Sequence, residues 1–278
     1  MTVINQVLAV IGAGGMGQAI ARRQGPGRTV LLADFNEATL QAAADTLKAD
    51  GHTVFTNRLD VSSPESVTAF AQEAAALGNV TQVVHTAGLS PVQAPPAAIL
   101  AVDLLGVALV LEEFGGVVAA GGAGVVISSM AGHLMPPLAA NQEAALGHTP
   151  AAELLDLPFI GPEQVTDPGM AYGIAKRANH IRVAAASVAW GRRGARINSI
   201  SPGIISTPMG QQELASPNGA VMRTMIDASG TGRLGTPDDI AAAAAFLLGP
   251  DSTFITGTDV LVDGGVVAAL RSGQLAAP

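Results

Sequence analysis

Short runs of β-branched and aliphatic residues alternate with longer Ala-, Leu- and Glu-rich stretches along most of the chain. Residues 7–11, 29–33, 53–57, 81–85, 124–128, 196–200 and 259–262 are apolar over strand length. Between them, residues 17–24, 37–49, 64–77, 96–119, 171–193 and 237–248 read as helices. Continuously apolar strands imply a sheet buried on both faces, and βα alternation with right-handed crossovers implies parallel pairing. The pattern predicts a doubly wound α/β domain with a parallel sheet of about seven strands flanked by helices.

Two stretches break the rhythm. Residues 133–170 and 203–236 are rich in Pro, Gly and Ala without a steady period, and both follow strands. Both are expected as loops at the carboxyl edge of the sheet, where open α/β folds bind ligands. No internal repeat is present.

Composition narrows the class. The 278 residues are 49% hydrophobic and 13% charged, which excludes disorder and permits one large core. The prior of ~150 residues per domain would allow two domains, but α/β folds of this size form one. A net charge of −8 argues against nucleic acid, since the Arg22-Arg23 and Arg192-Arg193 pairs are too short for a phosphate-binding patch. With no cysteine there is no disulfide, thiolate or cysteine-metal chemistry. The first residues, MTVINQVLAVIGAGG, lack the basic region and cleavage site of a signal peptide. The longest apolar windows, 117–127 and 241–248, fall short of the ~18–20 residues that cross a bilayer. A cytoplasmic protein is expected.

The first strand runs into Gly12-Ala13-Gly14-Gly15-Met16-Gly17 and then a helix. A glycine-rich turn there lets backbone approach a pyrophosphate whose charge the helix N-terminus stabilises. The plain alternative is a tight turn needing positive φ. Asp34 ends the second strand, 22 positions past the first glycine, where a carboxylate accepts hydrogen bonds from the adenosine ribose. It would repel a 2′-phosphate, and Phe35 and Asn36 bring no cation, so NAD is expected over NADP. The alternative role for Asp34 is capping the helix at Glu37, which Asn36 could fill as well. Asp60, followed by Val61, ends the third strand as an adenine-side candidate, with capping through Ser62 or Ser63 as its alternative.

The chain has one tyrosine and two lysines, and Tyr172 stands four residues before Lys176 in AYGIAK. On a helix the two share a face, so the ammonium can favour the phenolate and make Tyr172 a proton carrier for an alcohol or ketone. The alternative is an ordinary surface pair. Ser128-Ser129 end the fifth strand at the same edge, where a hydroxyl can hold a substrate oxygen or simply cap a turn. His52, His85, His133, His148 and His180 show no metal-binding spacing, so no metal is expected. His133, four residues past Ser129, is read as a solvated loop histidine, with substrate contact the alternative.

GAGGMG, Asp34, Asp60-Val61, Ala87-Gly88 in HTAG, Ser129, Tyr172-x-x-x-Lys176, RINSISPGIISTP and the 232–240 stretch together resemble the short-chain dehydrogenase/reductase family over nearly the whole length. The resemblance implies a single Rossmann-type domain and hydride exchange between nicotinamide and a secondary alcohol or ketone. It implies that Ser129 steadies the substrate oxygen, Tyr172 moves the proton, and Lys176 lowers the tyrosine pKa and binds the nicotinamide ribose. Pro202, Gly203, Ile205 and Thr207 would shape the nicotinamide pocket.

Four departures accompany it. The glycine turn is one residue shorter than the family's, with Ile11 in place of threonine. The N-N-A-G stretch reads His85-Thr86-Ala87-Gly88. The family's asparagine that orders a water beside the lysine is Asp103, whose charge should oppose the pull of Lys176 on the phenol. Finally, Ser129 and Tyr172 lie 43 positions apart, far more than the family's usual spacing. The long insert is similar to that of the bacterial 3α-hydroxysteroid dehydrogenase/carbonyl reductase subgroup and implies a homodimer instead of the common tetramer. Leu134, Met135, Leu138, Met209, Leu214, Met222 and Met225, in the two irregular stretches, suit a hydrophobic substrate, though packing accounts for them equally. A non-redox enzyme on the same scaffold and a silent NAD(H)-sensing protein are the alternatives. The retained glycines, Ser129, Tyr172 and Lys176 argue against both.

Overall fold

A computed structural model describes residues 5–273, so part of the opening segment read against a signal peptide lies outside the described residues. The chain starts with β1 (Gln6–Ile11), α1 (Gly15–Gln24), β2 (Thr29–Asp34), α2 (Glu37–Ala49), β3 (Thr53–Arg58), α3 (Pro64–Leu77) and β4 (Asn79–His85). After a single turn α4 (Pro96–Ile99), a π-helical stretch over Leu100–Leu105 leads into α5 (Gly106–Val117) and β5 (Val118–Ile127). Three short helices follow, α6 (Ala131–Leu134), α7 (Ala140–His148) and α8 (Ala151–Leu154), before the long α9 (Pro168–Arg192) and β6 (Arg196–Pro202). The chain continues through α10 (Pro208–Ala215), α11 (Gly219–Ala228), α12 (Pro237–Leu248), β7 (Asp259–Val262) and α13 (Val266–Arg271). Among the described residues no helix is long and apolar enough to cross a membrane.

All seven strands pair in parallel in the order β3-β2-β1-β4-β5-β6-β7. The order reverses between β1 and β4, which opens a crevice at their carboxyl ends. One apolar layer packs α3, α5 and α9 on one face, and a second packs α1, α2 and α12 on the other. Trp190 anchors the first layer, fully buried with its indole N–H donating to Leu111 O at 3.1 Å. A Cβ on Gly124 would lie 2.5 Å from Ile197 Cδ1 and 2.8 Å from the Trp190 ring, so a bare strand is what admits the indole there.

Helix ends follow their caps. The side chains of Asn36, Ser63, Asp167 and Thr236 accept from backbone N–H groups at the starts of α2, α3, α9 and α12. Asn36, and not Asp34, therefore caps α2, and Ser63 caps α3.

The 133–170 stretch differs from expectation. Instead of a loop it forms short helices that bury Leu146, Leu154, Ile160 and Val165 in the main core. Arg182 of α9 donates to Leu146 O and Thr149 O at 2.9 Å each and meets Glu112 at 3.1 Å, while Arg177 meets Glu143 at 2.6 Å. These tertiary contacts hold helices too short to be stable alone. The 203–236 stretch likewise contains α10 and α11.

Candidate active site

The glycine turn is fixed by close packing. Gly12 has φ +102, a left-handed conformation, and a Cβ there would sit 2.5 Å from Thr86 Oγ1. A Cβ on Gly17 would lie 1.9 Å from Gly12 O, so the helix start lies against the turn only because Gly17 has no side chain. Gly14 faces open space, and as N-cap of α1 it offers no side-chain partner to the first N–H groups of the helix. Uncapped amides beside bare backbone suit a pyrophosphate.

Above this turn lies a cavity of about 690 Å³. Its wall includes Gly12, Gly14, Gly15, Met16, Asp34, Phe35, Asp60, Val61, Ala87, Gly88 and Thr207, all expected cofactor residues. Asp34 accepts from Ala13 N and Asn36 N, both at 2.8 Å, one bond on each oxygen. Each oxygen keeps a lone pair for a ribose hydroxyl. Asp60 Oδ1 accepts from Ser62 N and Ser62 Oγ, which makes it a turn former as well as a wall residue. Thr207 caps α10 and packs over Gly15. The residues present therefore fit a dinucleotide.

Six residues expected around the cofactor do not line this cavity: Gly17, Tyr172, Lys176, Pro202, Gly203 and Ile205. Gly203 and Ile205 line a separate cavity of about 220 Å³ with Thr231, Arg233 and Asp263. Pro202 ends β6, its carbonyl accepting from Met130 N at 2.9 Å. Of the apolar residues expected over the cleft, only Met209 lines the larger cavity. Met135 and Leu138 pack on the main core, Leu214, Met222 and Met225 form a small cluster with Ile204 and Val266, and Leu134 is exposed.

Tyr172 and Lys176 share a face of α9, and the Lys176 ammonium lies 5.2 Å from the centroid of the Tyr172 ring. Lys176 Nζ meets Asp103 Oδ2 at 2.9 Å, with both side chains buried. Asp103 sits in the π-helical stretch, where Asp103 Oδ1 also accepts from Leu89 N at 2.7 Å. Gly88 closes this group from the cavity side; a Cβ there would be 3.0 Å from Asp103 Oδ2 and 3.4 Å from Lys176 Nζ. Ser128 Oγ donates to Lys176 O at 2.9 Å and ties α9 to β5, leaving Ser129 as the hydroxyl beside Tyr172. Ser129 Oγ also accepts from Ala131 N at 3.1 Å.

The electrostatics correct one expectation. Lys176 does favour the phenolate, and so does the Ser129 hydroxyl, but burial outweighs them and Asp103 adds to it, so the Tyr172 phenol stands above its ordinary value. Burial works to lower Lys176, yet Asp103 and Tyr172 prevail and hold its ammonium above the usual range. Burial raises Asp103 against the pull of Lys176.

Several residues escaped the sequence reading. Arg58 is the register partner of Asp34, and its guanidinium lies 4.7 Å from the Phe35 ring centroid and 3.8 Å from Glu37. Strand-end alignment of β2 and β3 was the available signal for this cation beside Asp34 and Phe35. His85 is buried with both ring nitrogens unpartnered, and burial and Lys176 push it down to about 3. His133 is not a solvated loop residue; it sits on α6 and meets Asp259 at 2.7 Å.

Comparison with known proteins agrees with this arrangement. A family described as Enoyl-(Acyl carrier protein) reductase matches residues 11–148 and 137–267. The short-chain dehydrogenase/reductase bsc3 of Alternaria brassicicola is 46% identical over 266 residues, covering 95% of this chain and 96% of that protein. The chain belongs to the short-chain dehydrogenase/reductase family. Galactitol 2-dehydrogenase (L-tagatose-forming) of Cereibacter sphaeroides is 30% identical, covering 92% of this chain and 93% of that one. The crystal structure of gox2181 shares the fold with TM-score 0.75, at 23% identity over 96% of this chain and 97% of that chain. Similarity to the 3-alpha-hydroxysteroid dehydrogenase/carbonyl reductase of Comamonas testosteroni is 33% over 106 residues, 38% of this chain and 40% of that one, well short of full length. Members of this family are oxidoreductases acting on alcohols with a nicotinamide cofactor, NAD or NADP.

Proposed function

We propose that this protein is an NAD-dependent dehydrogenase/reductase that interconverts a secondary alcohol and a ketone on a hydrophobic small molecule. What supports the reading is the sole tyrosine beside a buried ammonium and a serine, behind a cavity floored by the glycine turn. Gly12, Gly14, Gly15, Met16, Gly17, Asp34, Asp60, Val61, Ala87, Gly88 and Thr207 would hold the dinucleotide. When bound, the cofactor supplies hydride exchange at the substrate carbon. Ser129 Oγ donates to the substrate oxygen and aligns it with the Tyr172 hydroxyl. Tyr172 takes the alcohol proton in oxidation and returns it in reduction. Lys176 offsets the negative charge on the phenolate, and Asp103 holds Lys176 in place. Asp34 favours NAD by accepting from ribose hydroxyls and repelling a 2′-phosphate.

The subgroup with a long insert, a homodimer and a cytoplasmic location remain part of this proposal. The fully exposed Phe254 and the half-exposed Phe246 and Val188 are apolar surface in keeping with a second copy.

The test is Tyr172→Phe. Turnover of a secondary alcohol, followed through reduced-nicotinamide absorbance, should fall by roughly 100-fold or more, the scale of a lost acid–base group. NADH binding, read by fluorescence titration, should persist. Turnover within a few-fold of wild type would end the assignment.

A further inference from the structure

We propose that His133, His180 and Asp259 form a binding site for one divalent transition-metal ion of the Zn²⁺ class, joining the inserted helix α6 and the catalytic helix α9 to the edge strand β7. The three residues come from distant parts of the chain, which is why spacing showed no metal pattern. One ligand atom from each lies within 4.8 Å of the others. His133 Nε2 is 2.7 Å from Asp259 Oδ2, and His180 Nε2 is 3.5 Å from Asp259 Oδ1. Tetrahedral ligands of zinc stand ~3.3 Å apart at bond lengths of about 2.0–2.1 Å, so the His180 pair already has the spacing and the His133 pair must open by about half an ångström. The rings lie face-tilted, 4.7 Å between centroids, with both Nε2 atoms turned to one carboxylate.

The surroundings fit a metal centre. Side-chain exposures of 21% for His133, 9% for His180 and 10% for Asp259 leave a wet side for a fourth, water ligand. Ser199 Oγ donates to Asp259 Oδ1 at 2.5 Å, an orienting hydroxyl of the kind such sites use, whereas Ser201 Oγ lies 2.8 Å from His180 Nε2 and must turn aside for that nitrogen to take a metal. Gly132 brings α6 onto α9; a Cβ there would be 2.7 Å from the His180 ring. Imidazole with one carboxylate suits borderline cations over Mg²⁺ or Ca²⁺. Arg177 and Lys176 face His180 and Arg271 donates to His133 O; these charges oppose a cation and weaken its binding. The site is distinct from the reacting groups but adjacent to them, with His180 one turn past Lys176 and His133 one turn past Ser129.

The experiment titrates the full chain, dialysed against a chelator, with Zn²⁺ and with Co²⁺. Calorimetry should give one ion per chain with a micromolar or tighter Kd, and Co²⁺ should produce a visible ligand-field band. Tm should rise with Zn²⁺. His133→Gln and His180→Ala should each weaken binding at least tenfold and remove the band, while the exposed His148→Ala should leave both unchanged. His133→Gln keeps a hydrogen-bonding group toward Asp259, so one variant stays folded. Absence of 1:1 binding in wild type overturns the proposal, as does affinity unchanged in both variants or lost equally in His148→Ala. None of these readouts uses enzyme activity, so they stand apart from the test of Tyr172.

Discussion

Replacing Asp103 by asparagine isolates the carboxylate's effect on Tyr172, the proposed proton carrier. Lys176 Nζ is 2.9 Å from Asp103 Oδ2 and 5.2 Å from the Tyr172 ring centroid, so the carboxylate lies no more than about 8 Å from that ring. Two unit charges ~8 Å apart at an effective dielectric of ~20 interact by about 2 kcal/mol, equivalent to ~1.5 pKa units. A negative charge disfavours phenolate, so its removal lowers the Tyr172 pKa. Asparagine keeps an oxygen for Lys176 and for Leu89 N, and the ammonium stays charged and hydrogen-bonded.

The chain's single tyrosine makes the assay direct, because ultraviolet tyrosinate absorbance reports Tyr172 alone. Wild type should titrate above the ordinary phenol value, as burial and Asp103 dictate. Asp103→Asn should titrate about one unit lower or more, by the same Coulomb estimate. Fluorescence of the buried Trp190 reports folding and bounds the usable pH range. The pH profile of alcohol oxidation should move in the same direction and by a similar amount. A midpoint that stays in place or rises would refute the electrostatic account, since it would mean that Lys176 loses its proton once the carboxylate is gone.

Two other outcomes follow from the geometry. Asp34→Ala removes the anion at the adenosine end but leaves Arg58 near Phe35, so the ratio of kcat/KM for NAD over NADP should fall by roughly tenfold or more, the effect of about 1.4 kcal/mol; an unchanged ratio would place cofactor choice elsewhere. His85 is held neutral, with a folded pKa of about 3 against 6.5 unfolded, so the unfolded chain binds more protons between these values and stability falls as pH drops below the unfolded pKa. At a pH of about 5 this costs about 2 kcal/mol relative to neutral pH, and His85→Leu should recover most of it in urea unfolding at the lower pH.

How far the sequence carries depends on whether structure is set locally. α2, α3 and α12 match their expected ranges because Asn36, Ser63 and Thr236 carry capping oxygens, and Pro64 and Pro237 open two of the helices. The seven strands, the glycine turn and Asp34 were legible for the same reason. The 133–170 helices were not, because Arg182 and Arg177 hold them from α9 and their own periodicity is weak. The π-helical stretch before α5 was hidden inside a continuous helical pattern, yet it is what carries Asp103 to Lys176. Spacing put Tyr172 and Lys176 on one face, but the sign of the phenol's shift depends on burial, which spacing does not measure. His133, His180 and Asp259 meet only through the packing of α6, α9 and β7.

Cofactor choice and proton transfer are governed from opposite ends of the site, and on this reading they pull the reaction in different directions. Asp34, its two oxygens anchored by backbone N–H groups, is proposed to bind the adenosine end, and the NAD preference proposed from it suits oxidation. Burial, with Asp103 behind Gly88 adding to it, holds the Tyr172 phenol above its ordinary value, which favours the acid that carbonyl reduction needs and moves oxidation toward alkaline conditions. Among the described residues no hydrogen-bonded path joins the two carboxylates: one is tied to Ala13 and Asn36, the other to Leu89 and Lys176. Their effects should therefore add when both are replaced, as they do for separated groups without shared partners. Asp34→Ala with Asp103→Asn should relax cofactor choice and lower the phenol's midpoint, each by the amount of the single change.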